Sequence, residues 1–344
     1  MNCYRSPLSV DERLDHELPE MTDLVKELRC RLDGGLIPAV PVPFDESGGL
    51  QTRAQDSYLQ YMAKQHVAGV AVWVHTGRGL LLDNETALRV LRDWRATLDD
   101  RVLIAGAGAA DGQTPEEATA RSVAMAERAA REGADALLVY APTWLRGHER
   151  RDQLIIDYHL RLADVGLPLV LFYLYEAAGG ISYSRAVLDE LLAHPLVIGI
   201  KMATLDSVIT YQDIARLLLK SYPDKLLITG EDRFLGYSLR RGARAALIGM
   251  GAICCAMQAE LIDCHLRGDA GRFLFLSDQV DLLAESIFIN PIEGYITRLL
   301  WSLVHLGIIP LAAAHDPWGP QLPAGEFEAV GRTLAAIEKA RFEK

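Results

Sequence analysis

The sequence predicts a (β/α)8 TIM barrel with an N-terminal extension over residues 1–35 and a C-terminal helical layer over 271–344. Three observations predict it. Eight short apolar runs, most followed by an amphipathic helical pattern, fill about 230 residues, which is the strand count and size of such a barrel. The run at 197–203 is apolar on both faces, as a parallel strand covered on both sides must be. The first run ends in Pro41-Val42-Pro43-Phe44, where a doubly wound open sheet, the competing architecture, carries a glycine-rich turn.

The elements follow in order. The extension holds a helix near 21–31 and a hinge at Gly34-Gly35. The barrel, 36–270, has strands at 36–44, 67–74, 102–108, 136–142, 168–175, 197–203, 225–231 and 245–252. Helices fall between them at 51–65, 115–131, 151–165, 184–194, 209–222 and 233–241. In 151–165, Leu154, Ile155, Tyr158 and Leu162 share one face while Arg151, Asp152 and Asp157 point away. The tail carries helical patterns at 271–285, 293–306 and 326–339.

Composition narrows the function. A chain of 344 residues with 50% hydrophobic content can bury one large core or two ordinary ones. A net charge of −11 argues against nucleic acid, which needs clustered positive charge. No apolar run is long enough to span a bilayer, and residues 1–20 mix acids with bases and lack an apolar signal core. The five cysteines are odd in number and form no CxxC pair, so a reduced, cytoplasmic protein is expected, with Cys254-Cys255 as packing residues rather than a reactive pair. The nine histidines form no set with metal-ligand spacing, so neither a metal nor a cofactor is expected.

The chemistry-bearing candidate is Lys201, which sits inside the apolar run Val197-Ile198-Gly199-Ile200-Lys201-Met202-Ala203-Thr204. Burial lowers a lysine's pKa and leaves an amine able to attack a carbonyl and form a Schiff base. The bland alternative is a strand-end lysine that snorkels to solvent. In a barrel the site lies at the C-terminal strand ends. There the chain places His75-Thr76-Gly77-Arg78-Gly79 after strand two, Thr143-Trp144 after strand four, Tyr173 and Tyr175 in strand five, and Gly249 in the end of strand eight. The turn at Thr76-Gly77 either offers amides to a carboxylate or only closes a loop. Tyr173 and Tyr175 share a parity, so periodicity does not choose between a proton-transfer phenol and a core tyrosine.

The chain resembles the dihydrodipicolinate synthase / N-acetylneuraminate lyase family of Schiff-base class I aldolases, over roughly residues 34–310, as a divergent member. The resemblance rests on Pro43-Phe44-Asp45, Gly48, Thr76-Gly77, Gly133-Ala134-Asp135, Pro142, the run around Lys201, Gly230-Glu231-Asp232 and Asn290-Pro291. The interval 201 − 173 = 28 matches the family spacing from catalytic tyrosine to Schiff-base lysine. The resemblance implies an imine between Lys201 and a 2-oxo acid such as pyruvate or a keto-deoxy sugar acid, with proton transfer by Tyr173. It implies substrate binding by His75, Thr76, Gly77, Trp144 and Gly249. It also implies a homodimer or homotetramer with Trp144 near the partner surface.

Four departures qualify it. His75 replaces a small hydroxyl residue, Arg78 an acid, Trp144 an aromatic hydroxyl, and Ala178 the arginine that holds an acceptor's carboxylate. The last points away from dihydrodipicolinate formation. A hydro-lyase acting on a deoxy sugar acid and a non-catalytic binding barrel are the alternatives.

Overall fold

The computed structural model describes residues 23–109, 114–323 and 325–342. Of the expected extension, the part before residue 23 lies outside the described residues. Eight parallel strands form the barrel: β1 (Leu36–Pro38), β2 (Gly69–Val72), β3 (Val102–Ala107), β4 (Ala136–Tyr140), β5 (Leu169–Leu174), β6 (Val197–Ala203), β7 (Leu226–Thr229) and β8 (Ala245–Ile248). They pair in the order β1-β8-β7-β6-β5-β4-β3-β2. The ring closes between β1 and β2 through the Ala39–Ala71 bridge, Ala68 N–H to the Leu36 carbonyl (2.9 Å) and Val40 N–H to the Ala71 carbonyl (3.2 Å).

Period two puts apolar residues on both faces of each strand. Ile104, Leu138, Val170, Ile198, Ile228 and Leu247 fill the barrel interior. Leu103, Leu137, Leu171, Ile200 and Leu227 face the helical shell. That shell is α2 (Thr52–Ala63), α3 (Asn84–Thr97), α4 (Pro115–Arg131), α5 (Arg151–Ala163), α6 (Arg185–Ala193), α7 (Val208–Ser221), α8 (Leu235–Arg240) and α9 (Cys255–Arg267). Local chemistry sets several starts. Asp83 accepts from Thr86 N–H at 2.9 Å to begin α3, and Thr114 and Glu117 form a reciprocal box ahead of Pro115 in α4. Among the described residues, no helix is long and apolar enough to cross a membrane.

The tail is α10 (Ala270–Ile287), α11 (Tyr295–His305) and α12 (Glu326–Phe342), with α10 packed on α9 and α12. Between α11 and α12 the chain returns over the barrel mouth. Trp318 meets Phe44 edge-on at 5.6 Å, and the side chain of Asp316 is only 1% exposed. At the opposite end, α1 (residues 23–32) seals the barrel. Leu28 and Leu32 belong to the same apolar cluster as the strand interiors. Arg29 and Arg31 donate to the backbone carbonyls of Asp224 and Asp100, and Arg244 holds Asp33 at 2.6–2.7 Å.

Most expected strands end later than the observed ones, because their last residues leave the ladder to build the loops of the barrel mouth. The turns His75–Gly77 and Glu176–Ala178 are examples. Helices α3 and α9 were not among the elements expected from sequence. In α9 the buried face includes Cys255, Gln258 and Cys264, which dilute the apolar period.

Candidate active site

Lys201 stands where β6 is flanked by Phe172 of β5 and Ile228 of β7. Its side chain enters the barrel, and the residue is 6% exposed. Gly230 makes this possible: a Cβ there would come within 2.6 Å of the Lys201 Cε. Nζ lies 4.4 Å from the centre of the Phe172 ring. Burial lowers the Lys201 pKa to about 8, while the charges of Asp232 and Glu231 oppose that shift.

The two acids behave differently. Glu231 accepts from Thr204 N–H (2.6 Å), the Thr204 hydroxyl (2.7 Å) and Leu205 N–H (2.9 Å), so it pins the loop after β6. Asp232 shares the cavity with Lys201 and accepts from Met250 N–H at 2.7 Å. Burial raises Asp232 to about 6 and Glu231 to about 7, against the donors that hold them.

The facing wall comes from the end of β2 and the tail. The Tyr295 hydroxyl lies 3.0 Å from His75 Nδ1 and 3.1 Å from the Thr76 Oγ1. Phe288 stacks on the Tyr295 ring at 4.7 Å. Gly249 leaves the space that ring occupies, since a Cβ would sit 3.1 Å from Tyr295 Cε2. Glu293 approaches His75 Nε2 at 3.6 Å, and Arg78 bonds both Glu293 (2.9 Å) and Asp316 (2.7 Å). Burial lowers the His75 pKa, with Glu293 pulling the other way, so the imidazole is mainly neutral near pH 7. A neutral imidazole next to a phenol that burial holds well above its ordinary pKa can pass a proton in either direction.

One cavity therefore collects Lys201, His75, Thr76 and Gly249 from the expected set. The other expected residues lie outside it. Tyr173 does not line the cavity: it meets Tyr183 edge-on at 6.1 Å and its hydroxyl reaches Thr210 of α7, in the outer layer. The register between β5 and β6 slips by one, with Leu169 opposite Val197 but Val170 opposite Gly199. That slip places Phe172 across from Lys201, so counting back along the chain lands on an outward residue. The tyrosine of this segment that does reach the cavity is Tyr175, beyond the strand end.

Gly77 is buried under the turn. Its amide bonds the Val74 carbonyl (3.0 Å) and that of Arg78 bonds His75 (3.1 Å), so neither is left for a carboxylate. Trp144 lies in the outer shell, lining a groove with Val123 of α4 and Leu154 and Tyr158 of α5, away from Lys201. Arg146 is tied to the carbonyls of Gly180 (3.0 Å) and Glu176 (2.9 Å).

Tyr295, Glu293, Phe172 and Asp232 were missed as site residues. Asp232 and the Asn290-Pro291 step ahead of Glu293 were both within motifs that carried the resemblance, so a signal existed for two of the four. Among the described residues, no group of three or more His, Cys, Asp or Glu side chains is placed to hold a metal ion.

The family model for the Dihydrodipicolinate synthetase family matches residues 33–330. A 4-hydroxy-tetrahydrodipicolinate synthase of Xanthomonas axonopodis pv. citri is 26% identical over 299 residues, which cover 84% of this chain and 93% of that one. Among solved structures, the sialic acid aldolase of Ruminococcus gnavus matches with a TM-score of 0.77 at 18% identity, covering 90% of this chain and 99% of that one. The N-acetylneuraminate lyase of Fusobacterium nucleatum, complexed with pyruvate, matches with a TM-score of 0.74 at 18% identity, covering 89% and 97%. The last two share the fold. The match runs through the whole barrel and into the tail, and on it this chain belongs to the dihydrodipicolinate synthetase family and is a lyase of the class I aldolase type.

Proposed function

We propose that the chain makes or breaks a carbon–carbon bond in a 2-oxo acid through an imine on Lys201. The observation that carries this reading is a lysine desolvated to a pKa of about 8 inside a cavity, with no hydrogen-bond acceptor on its Nζ among the described residues. The neutral amine adds to the C2 carbonyl, one proton is taken up from solvent and water leaves, giving a protonated imine. In the cleavage direction the C3–C4 bond breaks and its electrons form the C2–C3 double bond of an enamine, as the C2–N pair returns to nitrogen. The C4 hydroxyl gives its proton to the Tyr295 oxygen as the Tyr295 hydroxyl proton passes to His75, and C4 leaves as a carbonyl. C3 then takes up a proton, and water releases the shortened oxo acid from Lys201. The Thr76 hydroxyl, on the same wall, would donate to the substrate carboxylate.

Borohydride reduction in the presence of pyruvate, followed by intact mass, tests the reading. One adduct on the wild type and none on Lys201→Ala is the expected result. A wild type that forms no adduct would leave a binding barrel. Loss of water from a deoxy sugar acid through the same imine is the outcome of a substrate panel that would replace carbon–carbon chemistry.

Assembly and compartment belong to the same proposal. A homodimer or homotetramer in solution is expected. A 37.9 kDa species by sedimentation at micromolar concentration would end that part. Among the described residues, Cys30, Cys254, Cys255 and Cys264 form no disulfide, which suits a reducing compartment such as the cytoplasm.

A further inference from the structure

A second chamber opens beside the Lys201 cavity and shares His75, Leu174 and Ala178 with it. Its volume is about 460 Å³, enough to enclose a small organic group. The added walls are mostly carbon, from Leu80, Leu81, Ala141 and the ring of Tyr140. That ring packs edge-on against Phe172 at 5.3 Å, so the aromatic wall continues to the lysine.

The chamber has little to offer an anion. Among the described residues, its one cationic lining residue is Arg78, whose guanidinium is bonded by Asp316 (3.2 and 2.7 Å) and Glu293 (2.9 Å). A ligand carboxylate or phosphate would have to compete with two carboxylates already in place. Arg146, on a neighbouring loop, is held by backbone carbonyls. A polyhydroxylated chain fares no better, because its hydroxyls would be desolvated against leucine and alanine.

Besides Arg78, the polar side chains in the described lining are His75, Tyr140 and Thr143. The Tyr140 hydroxyl is closed off from solvent, so the ring is the part of that residue that meets the chamber.

We infer that this chamber receives the carbonyl compound joined to, or released from, the Lys201 enamine, and that this compound is an uncharged aryl aldehyde. The inference rests on the imine reading and adds the identity of the group beyond C4. The C4 carbonyl would lie at the shared wall of His75, and the ring beyond it between Tyr140 and the leucines. Edge contacts with Tyr140 favour a flat ring over a branched chain.

Two measurements test it. Calorimetry with the unreactive probes 4-hydroxybenzyl alcohol, benzyl alcohol and glycerol needs no imine. The wild type should bind both aryl alcohols and not glycerol, and Leu80→Asp should weaken aryl binding by about tenfold or more. In parallel, pyruvate is offered with 4-hydroxybenzaldehyde, glyceraldehyde or aspartate semialdehyde, and kcat/KM is read from product. The aryl aldehyde should exceed the other two by at least about tenfold. Pyruvate trapping together with a preference for glyceraldehyde or aspartate semialdehyde would overturn the chamber and keep the imine. Aryl binding sensitive to Leu80→Asp without pyruvate trapping would support the chamber and overturn the imine. Absence of aryl binding to the wild type would sink the inference outright.

Discussion

Lys201 and Lys225 lie at opposite ends of neighbouring strands, and burial lowers the pKa of both. Their surroundings separate them. Lys225, just ahead of β7, donates to the carbonyls of His194 (3.1 Å) and Val197 (2.8 Å) and has Asp224 at 4.0 Å. It ties two loops together at the end sealed by α1. Lys201, near the other end, is desolvated among Phe172, Gly230 and Asp232, with no acceptor fixed on its nitrogen among the described residues. Depressed basicity alone does not mark a nucleophile. The nitrogen must also be free to lose a proton and point into space where a carbonyl can arrive.

The same contrast holds for the two ends of the barrel. The α1 end is filled by Leu28 and Leu32 and has its arginines on backbone carbonyls. The mouth gathers His75, Tyr295, Arg78, Glu293, Asp316 and Asp232, held in place by the returning tail. One end contributes stability, and the other trades it for chemistry.

The lysine pair gives the largest expected difference. Lys201→Ala should abolish pyruvate trapping, and Lys225→Ala should leave it unchanged. Equal loss in both would erase the distinction drawn here. Next comes the wall facing Lys201, where Tyr295→Phe should lower turnover by about a hundredfold while trapping persists. A Tyr173→Phe enzyme should work normally, since that hydroxyl faces α7. If instead Tyr173→Phe were the crippled variant, the inward placement of Phe172 would be wrong.

A smaller effect lies in the pH profile. The neutral amine is required, so imine formation should rise through a pKa of about 8. Asp232 holds that pKa up, so Asp232→Asn should move the rising limb to lower pH. An upward shift would contradict the direction of their coupling.

Stability gives the smallest signal at the active end. The folded pKa of Lys201, about 8, lies below its ordinary value of 10.5, so the folded state binds fewer protons between them. The lysine's contribution to stability therefore rises as pH climbs through that window. Lys201→Met should be more stable than wild type below pH 8, by roughly 1–3 kcal/mol, and the gap should close towards pH 10.5. At the other end, Leu32→Ala should cost about 3 kcal/mol at any pH and leave trapping intact. Denaturant melts across pH read both.

The sequence by itself determined the barrel, because alternating apolar strands and amphipathic helices leave few ways to bury eight two-faced strands. It also determined Lys201, since a charge in the middle of the run Val197–Ala203 has no packing reason to be there. It could not determine which β5 residue Lys201 would face. Tyr173 and Phe172 are adjacent, and a one-residue slip in β6, invisible in a linear count, set Lys201 opposite Phe172 instead of Tyr173. Nor could it bring Tyr295 to His75 across 220 positions, or close Asp316 on Arg78 across 238. Periodicity encodes which residues are buried along one element. Register and the return path of the tail depend on how elements settle against one another, and only the tertiary structure decided those.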